Sequence, residues 1–149
     1  MSQSECIFCK IIAGETSSRK VYEDEEVLAI LDIVPRFAEG QCLVMPKRHV
    51  EYFYDLDEEE MTRLFRAVKI VANKIEQAFG RGNVAMLARG RTVSHAHIIV
   101  FPSTGEGVMD KFMDSLRAYR ILLTEKSSDE ALDVIWKEFK GATSKERAK

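Results

Sequence analysis

The stretch Val93-Ser94-His95-Ala96-His97-Ile98-Ile99-Val100 decides how this chain is read. Successive side chains of a β-strand point to opposite faces, so His95, His97 and Ile99 share one face while Ala96, Ile98 and Val100 share the other. The alternation predicts a strand over Val93 to Phe101, with two imidazoles on one side roughly 7 Å apart. The chain has only three histidines, and the remaining one is His49. Cys6-Ile7-Phe8-Cys9 adds two thiols at a spacing common in zinc sites. Cys6, Cys9, His49 and His95 suffice for one tetrahedral zinc shell, which leaves His97 over.

Plainer readings compete with each of these. Cys-x-x-Cys also occurs in thioredoxin-like redox motifs, although here no βαβ pattern precedes it. A purely structural zinc clip accounts for Cys6, Cys9, His49 and His95 and leaves His97 unexplained. Read alone, His97 is either an ordinary packed or surface residue or a catalyst.

Working outward, Val21 to Glu23 and Val27 to Asp32 read as a hairpin around the acidic turn Asp24-Glu25-Glu26, and Gln41 to Met45 as a third strand. Pro35 and Gly40 mark the loop between them. Asp57-Glu58-Glu59-Glu60 has the form of a capping box, with Asp57 as N-cap and Glu60 reaching back. Met61, Leu64, Phe65, Val68, Val71, Ala72, Ile75 and Phe79 follow at three- and four-residue steps, and Gly80 stops the pattern. This is one long amphipathic helix whose apolar stripe is core. Asn83 to Ala88 and Val93 to Phe101 are two more strands, joined through Arg89-Gly90-Arg91. About five strands beside one long helix imply an antiparallel α+β fold. Beyond Pro102, Met109 to Tyr119 and the segment opened by Ser127-Ser128-Asp129-Glu130 are two short amphipathic helices, the second carrying Leu132, Ile135, Trp136 and Phe139 for packing against the sheet.

Composition sets the class. A chain of 149 residues is a single-domain length that buries about two-thirds of its unfolded surface. With 22 Lys plus Arg against 24 Asp plus Glu, the formal charge of −2 gives no global basic footprint for nucleic acid. Any phosphate must therefore be met locally. Three cysteines are an odd count with two in metal-ligand spacing, and Cys42 reads as a small buried hydrophobe. No apolar run approaches the ~20 residues that span a bilayer, and Met1-Ser2-Gln3-Ser4-Glu5 has no signal character. The expectation is a cytoplasmic protein in a reducing compartment.

These features carry a family resemblance. The blocks Cys6-Ile7-Phe8-Cys9-Lys10-Ile11-Ile12-Ala13-Gly14-Glu15, Val21-Tyr22-Glu23-Asp24, Ala29-Ile30-Leu31-Asp32-Ile33-Val34-Pro35, Leu43-Val44-Met45-Pro46-Lys47-Arg48-His49 and Thr92-Val93-Ser94-His95-Ala96-His97 with Pro102 occur in that order. Together they resemble the histidine-triad (HIT) family of nucleotide hydrolases and transferases. The resemblance covers residues 1–103 and implies one HIT domain over 1–149, with 104–149 a divergent C-terminal extension. It implies a covalent nucleotidyl-histidine intermediate on His97 and a structural zinc held by Cys6, Cys9, His49 and His95, as in related uridylyltransferases. It also implies an apolar wall for the base from Ile7, Phe8 and Ile11, with Ile33 flanking it. Asp32 matches the carboxylate that accepts from both ribose hydroxyls, and Thr92 a phosphate-contacting hydroxyl. The substrate would be a small nucleotide, a purine fitting the wall best: a dinucleoside polyphosphate or an adenosine phosphoramidate. The working form would be a homodimer.

The chain departs from the family's pattern in three places. The third histidine is Ile99, the glutamine of the glycine loop is Arg91, and the loop before His95 is about three residues shorter, with Leu87 or Val84 nearest to a phosphate-contacting asparagine. Arg91 offers a planar fork of donors for phosphate oxygens in partial replacement. These departures keep a second function open: a zinc-stabilised nucleotide-binding protein with little or no turnover.

Overall fold

The stripe that follows Asp57 is a helix, α2 (Glu58–Phe79), and the rest of the core is arranged around it. In the computed structural model, residues 3–80, 82–88, 92–118 and 128–141 are described. The Asp57 side chain accepts from the Glu60 N–H at 2.9 Å, and the Glu60 carboxylate accepts from the Asp57 N–H at 3.0 Å, which closes the capping box. Gly80 ends the helix at φ 87°, a conformation that costs glycine nothing. The buried face of α2 consists of Leu64, Ala67, Val68, Val71 and Ile75. Each larger side chain among these contributes about 1.5–3 kcal/mol when fully buried.

That face packs on an antiparallel sheet of five strands: β1 (Lys20–Glu23), β2 (Val27–Leu31), β3 (Cys42–Pro46), β4 (Asn83–Leu87) and β5 (Ile98–Ser103), in the order β1-β2-β3-β5-β4. β2 and β3 are buried on both faces, so their apolar runs are continuous rather than alternating. Val27, Ala29, Cys42, Val44, Ala96, Ile98 and Val100 form one core with α2. Leu28, Ile30, Leu43 and Met45 form a second on the other face with Cys6, Phe8 and Ile11 from the N-terminal segment. There a short helix, α1 (Ile7–Ile12), begins directly after Cys6, an element the sequence pattern did not announce.

The last strand differs from expectation. It starts at Ile98 rather than Val93, with residues 92–95 in bends and Ala96 and His97 outside the ladder. The reason lies in its neighbour: β3 ends at Pro46, and the Ala96 N–H donates instead to the Val50 carbonyl at 2.6 Å, in the loop that carries His49. The alternation of faces persists through this segment, because Ala96 sits in the helix-side core while His97 and Ile99 open on the other side.

The described residues fall into two compact units, one through Lys111 and one from Phe112. The sheet, α2 and both cores belong to the first. α3 (Val108–Ala118) and α4 (Asp129–Gly141) are the two C-terminal helices. Leu132, Ile135, Trp136 and Phe139 lie on α4, in the second unit. No described helix is long and apolar enough to cross a membrane.

Candidate functional site

Two sites meet at the histidine segment. In the first, Cys6 caps α1 and Cys9 lies within it, three residues on, which turns both thiols to one side. His49 arrives from the loop after β3 and His95 from the segment before β5. Cys6 Sγ lies 3.5 Å from His95 Nδ1, Cys9 Sγ 3.2 Å from His49 Nδ1 and 3.6 Å from His95 Nδ1, and the two Nδ1 atoms are 3.3 Å apart. All four ligand atoms lie within 4.8 Å of one another. A tetrahedron with zinc–sulfur bonds of about 2.3 Å and zinc–nitrogen bonds of about 2.0 Å has edges of roughly 3.3–3.8 Å, so the donor set fits a zinc ion.

The outer shell fits as well. His95 Nε2 donates to the Pro46 carbonyl at 2.8 Å, which leaves Nδ1 as the lone-pair nitrogen facing the thiols. Burial holds the His95 ring below its ordinary pKa against the Pro46 hydrogen bond, with His49 and His97 pushing the same way, and a neutral ring is what a metal requires. Burial and the Cys6 thiol push the Cys9 thiol up to about 11, so a metal must displace that proton on binding. With four protein donors, no position remains for a substrate or water, and such a metal is structural.

The second site is a cavity of about 670 Å³ on the sheet face opposite α2. Its floor is a row of cross-strand partners, since Ile30 pairs with Leu43, Leu43 with Ile99, and Ile99 with Leu87. Four strands at about 4.8 Å make this row roughly 14 Å long. β2 and β5 are both antiparallel to β3, hence parallel to each other. Asp32, two residues beyond Ile30, and His97, two residues before Ile99, therefore stand at diagonally opposite corners of the floor.

Ile7, Phe8 and Ile11 from α1 form one wall, and Ile33 stands at the mouth, 82% exposed. Thr92 also lines the cavity, and Arg91 lies outside the described residues. Of the two positions nearest to the family's asparagine, Leu87 lines the cavity, while Val84 packs on the helix side. Cys42 is buried in the core, where burial and the Asp32 carboxylate raise its thiol pKa to about 11, in keeping with an inert hydrophobe.

His97 is 9% exposed and fixed on two sides. Its Nδ1 lies 2.7 Å from the His95 carbonyl oxygen, which can only accept, so Nδ1 carries a proton and, in the neutral tautomer, the lone pair is on Nε2. The Phe8 ring stands edge-on to it, with centroids 5.1 Å apart. The sequence reading did not single out Gln41, Leu43, Thr16, Ser17, Ser18 or Arg36, all of which line the cavity. A glutamine opening an apolar strand was the available signal for Gln41.

Comparison with known proteins agrees with this geometry. The HIT domain family model matches residues 13–106. The protein named Protein hit of Bacillus subtilis is 42% identical over 107 residues, covering 68% of this chain and 73% of that protein. Adenylylsulfatase HINT3 of Arabidopsis thaliana is 30% identical over 131 residues, covering 85% of this chain and 66% of that protein. The crystal structure of a member of the HIT family from Bacillus subtilis superposes with a TM-score of 0.75 at 33% identity, covering 95% of this chain and 99% of that one. The chain belongs to the HIT family.

Proposed function

We propose that the protein is a nucleotide hydrolase or nucleotidyl transferase in which His97 is the nucleophile. The observation that carries this reading is the Nδ1 hydrogen bond of His97 to the His95 carbonyl, which selects the tautomer with its lone pair on Nε2 at one corner of a nucleoside-sized cavity. In the proposed reaction Nε2 attacks the α-phosphorus of a bound nucleotide, the N–P bond forms, and the bond from phosphorus to the leaving group breaks with its electron pair on that group. The imidazolium so formed keeps its Nδ1–H on the carbonyl, which stabilises the charge. Water then attacks the phosphoramidate and returns a neutral imidazole. Thr92 offers a hydroxyl to the phosphoryl oxygens, and Arg91 adds its guanidinium.

The remaining roles follow the cavity. The wall of Ile7, Phe8, Ile11 and Ile33 receives the base, and Asp32 accepts from the ribose hydroxyls at the far corner. Cys6, Cys9, His49 and His95 hold a structural zinc that ties the N-terminal segment and the His49 loop to the histidine segment. We further propose that residues 1–149 act as one domain in a cytoplasmic homodimer, which a monomeric mass in light scattering at micromolar concentration would contradict.

A second reading, a nucleotide-binding protein with little turnover, is favoured by the floor. Leu87 and Ile99 put apolar side chains there, at positions where the family pattern has polar ones. One experiment separates the two. An adenosine phosphoramidate, diadenosine tri- and tetraphosphate, a nucleoside diphosphate sugar and, because one relative is named an adenylylsulfatase, adenylyl sulfate are incubated with wild type and His97→Ala. Cleavage by wild type alone, with a nucleotidyl mass increment after acid-free quenching, establishes the enzyme. Binding without cleavage of any of them establishes the binder.

A further inference from the structure

We propose that Gln41 is the positioning residue of the nucleoside end of the cavity, aiming the Asp32 carboxylate so that it reads a vicinal diol; this rests on the nucleotide reading above. Gln41 is 2% exposed, and a buried amide that lacked partners would be costly. Both of its ends are used. Oε1 accepts from the Phe37 N–H at 3.1 Å, and Nε2 donates to Asp32 Oδ2 at 2.5 Å. The partners fix which way the amide points, because a backbone N–H can only donate and a carboxylate oxygen can only accept.

The count of lone pairs then assigns the recognition. A carboxylate offers about four acceptor sites, two on each oxygen. Gln41 takes one on Oδ2, and the Val34 N–H, at 2.9 Å, takes one on Oδ1. One site remains on each oxygen, the number that two hydroxyl donors require. The terminal torsion of aspartate is broad, so without the amide the carboxylate plane has one backbone contact and no fixed orientation. The backbone adds to the clamp: the Asp32 N–H donates to the Gln41 carbonyl at 2.9 Å and the Gln41 N–H to the Ala38 carbonyl at 3.2 Å. These bonds close the loop over residues 33–40 at its base, so the loop that carries Ile33 and the carboxylate that reads the diol are held by one residue.

The test is titration calorimetry on the full-length zinc-loaded protein with AMP and 2′,3′-dideoxy-AMP. Wild type is expected to prefer AMP by about tenfold, the effect of two charge-assisted hydrogen bonds after desolvation. Gln41→Met keeps the volume without the donor, and Gln41→Leu removes the donor with a shorter apolar side chain. Both are expected to bring the preference below about threefold while binding dideoxy-AMP within about twofold of wild type. Thermal melting checks that each variant is folded, and either one suffices.

If both variants keep the wild-type preference, or weaken the two ligands equally, Gln41 is a structural residue and the proposal falls. Asp32→Asn separates that failure from failure of the underlying reading. Loss of preference in Asp32→Asn but not in the Gln41 variants overturns only the role of Gln41. No preference in wild type, or an unchanged one in Asp32→Asn, overturns the diol site and the proposal with it.

Discussion

His97 Nδ1 lies 2.7 Å from the carbonyl oxygen of His95, the residue whose own ring turns to Cys6 and Cys9. One residue thus offers its side chain to the four-donor cluster and its backbone to the proposed nucleophile. If the four donors hold a metal, its removal is expected to free the His95 ring and loosen the carbonyl that accepts from His97 Nδ1. Chelation under reducing conditions, or Cys9→Ser, is expected to lower Tm by several degrees or more, since each kcal/mol moves a chain of this size by roughly 2–4 °C. Turnover and nucleotide affinity should both fall, because α1 carries Cys9 together with Phe8 and Ile11 of the cavity wall, while the His95 carbonyl holds His97. Protein that purifies without zinc and melts the same after chelation would mean that the four residues do not form a metal site.

The complementary variant leaves the metal site intact. His97→Ala removes the ring that faces the cavity and its hydrogen bond to the His95 carbonyl but none of the four ligand atoms, so zinc content by metal analysis should match wild type. Turnover should drop by roughly 10³-fold or more if the ring is the nucleophile, with Kd for AMP changed only a few-fold. A parallel loss of binding and turnover would instead make His97 a packing residue beneath Phe8.

How much of this could be read from the sequence depended on whether local pattern or distant partners set each feature. α2 was legible from Asp57 to Gly80, because its capping box, apolar stripe and stop all lie within its own residues. The five-strand sheet was legible as a set of strands, and so was the group Cys6, Cys9, His49 and His95. The start of β5 was not, since Val93 to His97 alternate like a strand, yet Ala96 bonds to Val50 in a loop that no local pattern locates. Gln41 was missed for a similar reason. Its partners Phe37 and Asp32 are found only once the loop between β2 and β3 has closed.

The turn of the first hairpin offers a test in pH. Burial raises the Asp24 pKa, but the Tyr22 hydroxyl at 2.7 Å and the N–H groups of Glu26 and Val27 at 2.9 and 2.7 Å outweigh it and hold the carboxyl below its ordinary value. A depressed carboxylate stabilises the fold above its unfolded pKa of about 3.9, and that contribution disappears as pH falls through the folded value. Asp24 is exposed, so screening keeps the effect small, roughly 1 kcal/mol for Asp24→Ala at pH 7. Urea unfolding of wild type and variant should converge as pH drops from 7 toward 3. A constant difference would show that the turn draws nothing from the charge.

Gly40 closes the same loop that Gln41 anchors, and two separate effects make it intolerant of a side chain. Its φ is +83°, which L residues rarely adopt, and an added Cβ would lie 2.3 Å from Cζ of Phe79, the last residue of α2. Backbone strain alone amounts to about 1–2 kcal/mol. The steric part depends on Phe79, which is 46% exposed and has solvent to move into at the loss of its own packing. Gly40→Ala should therefore destabilise by roughly 2–3 kcal/mol in wild type but only about 1–2 kcal/mol in a Phe79→Ala background, a coupling that a double-mutant cycle measures by urea unfolding. Nucleotide affinity should weaken in Gly40→Ala and recover in the double variant, because relieving the ring contact lets residues 33–40 resume the geometry that holds Asp32. Equal losses in both backgrounds would mean that Phe79 swings aside freely and that the backbone conformation alone requires glycine.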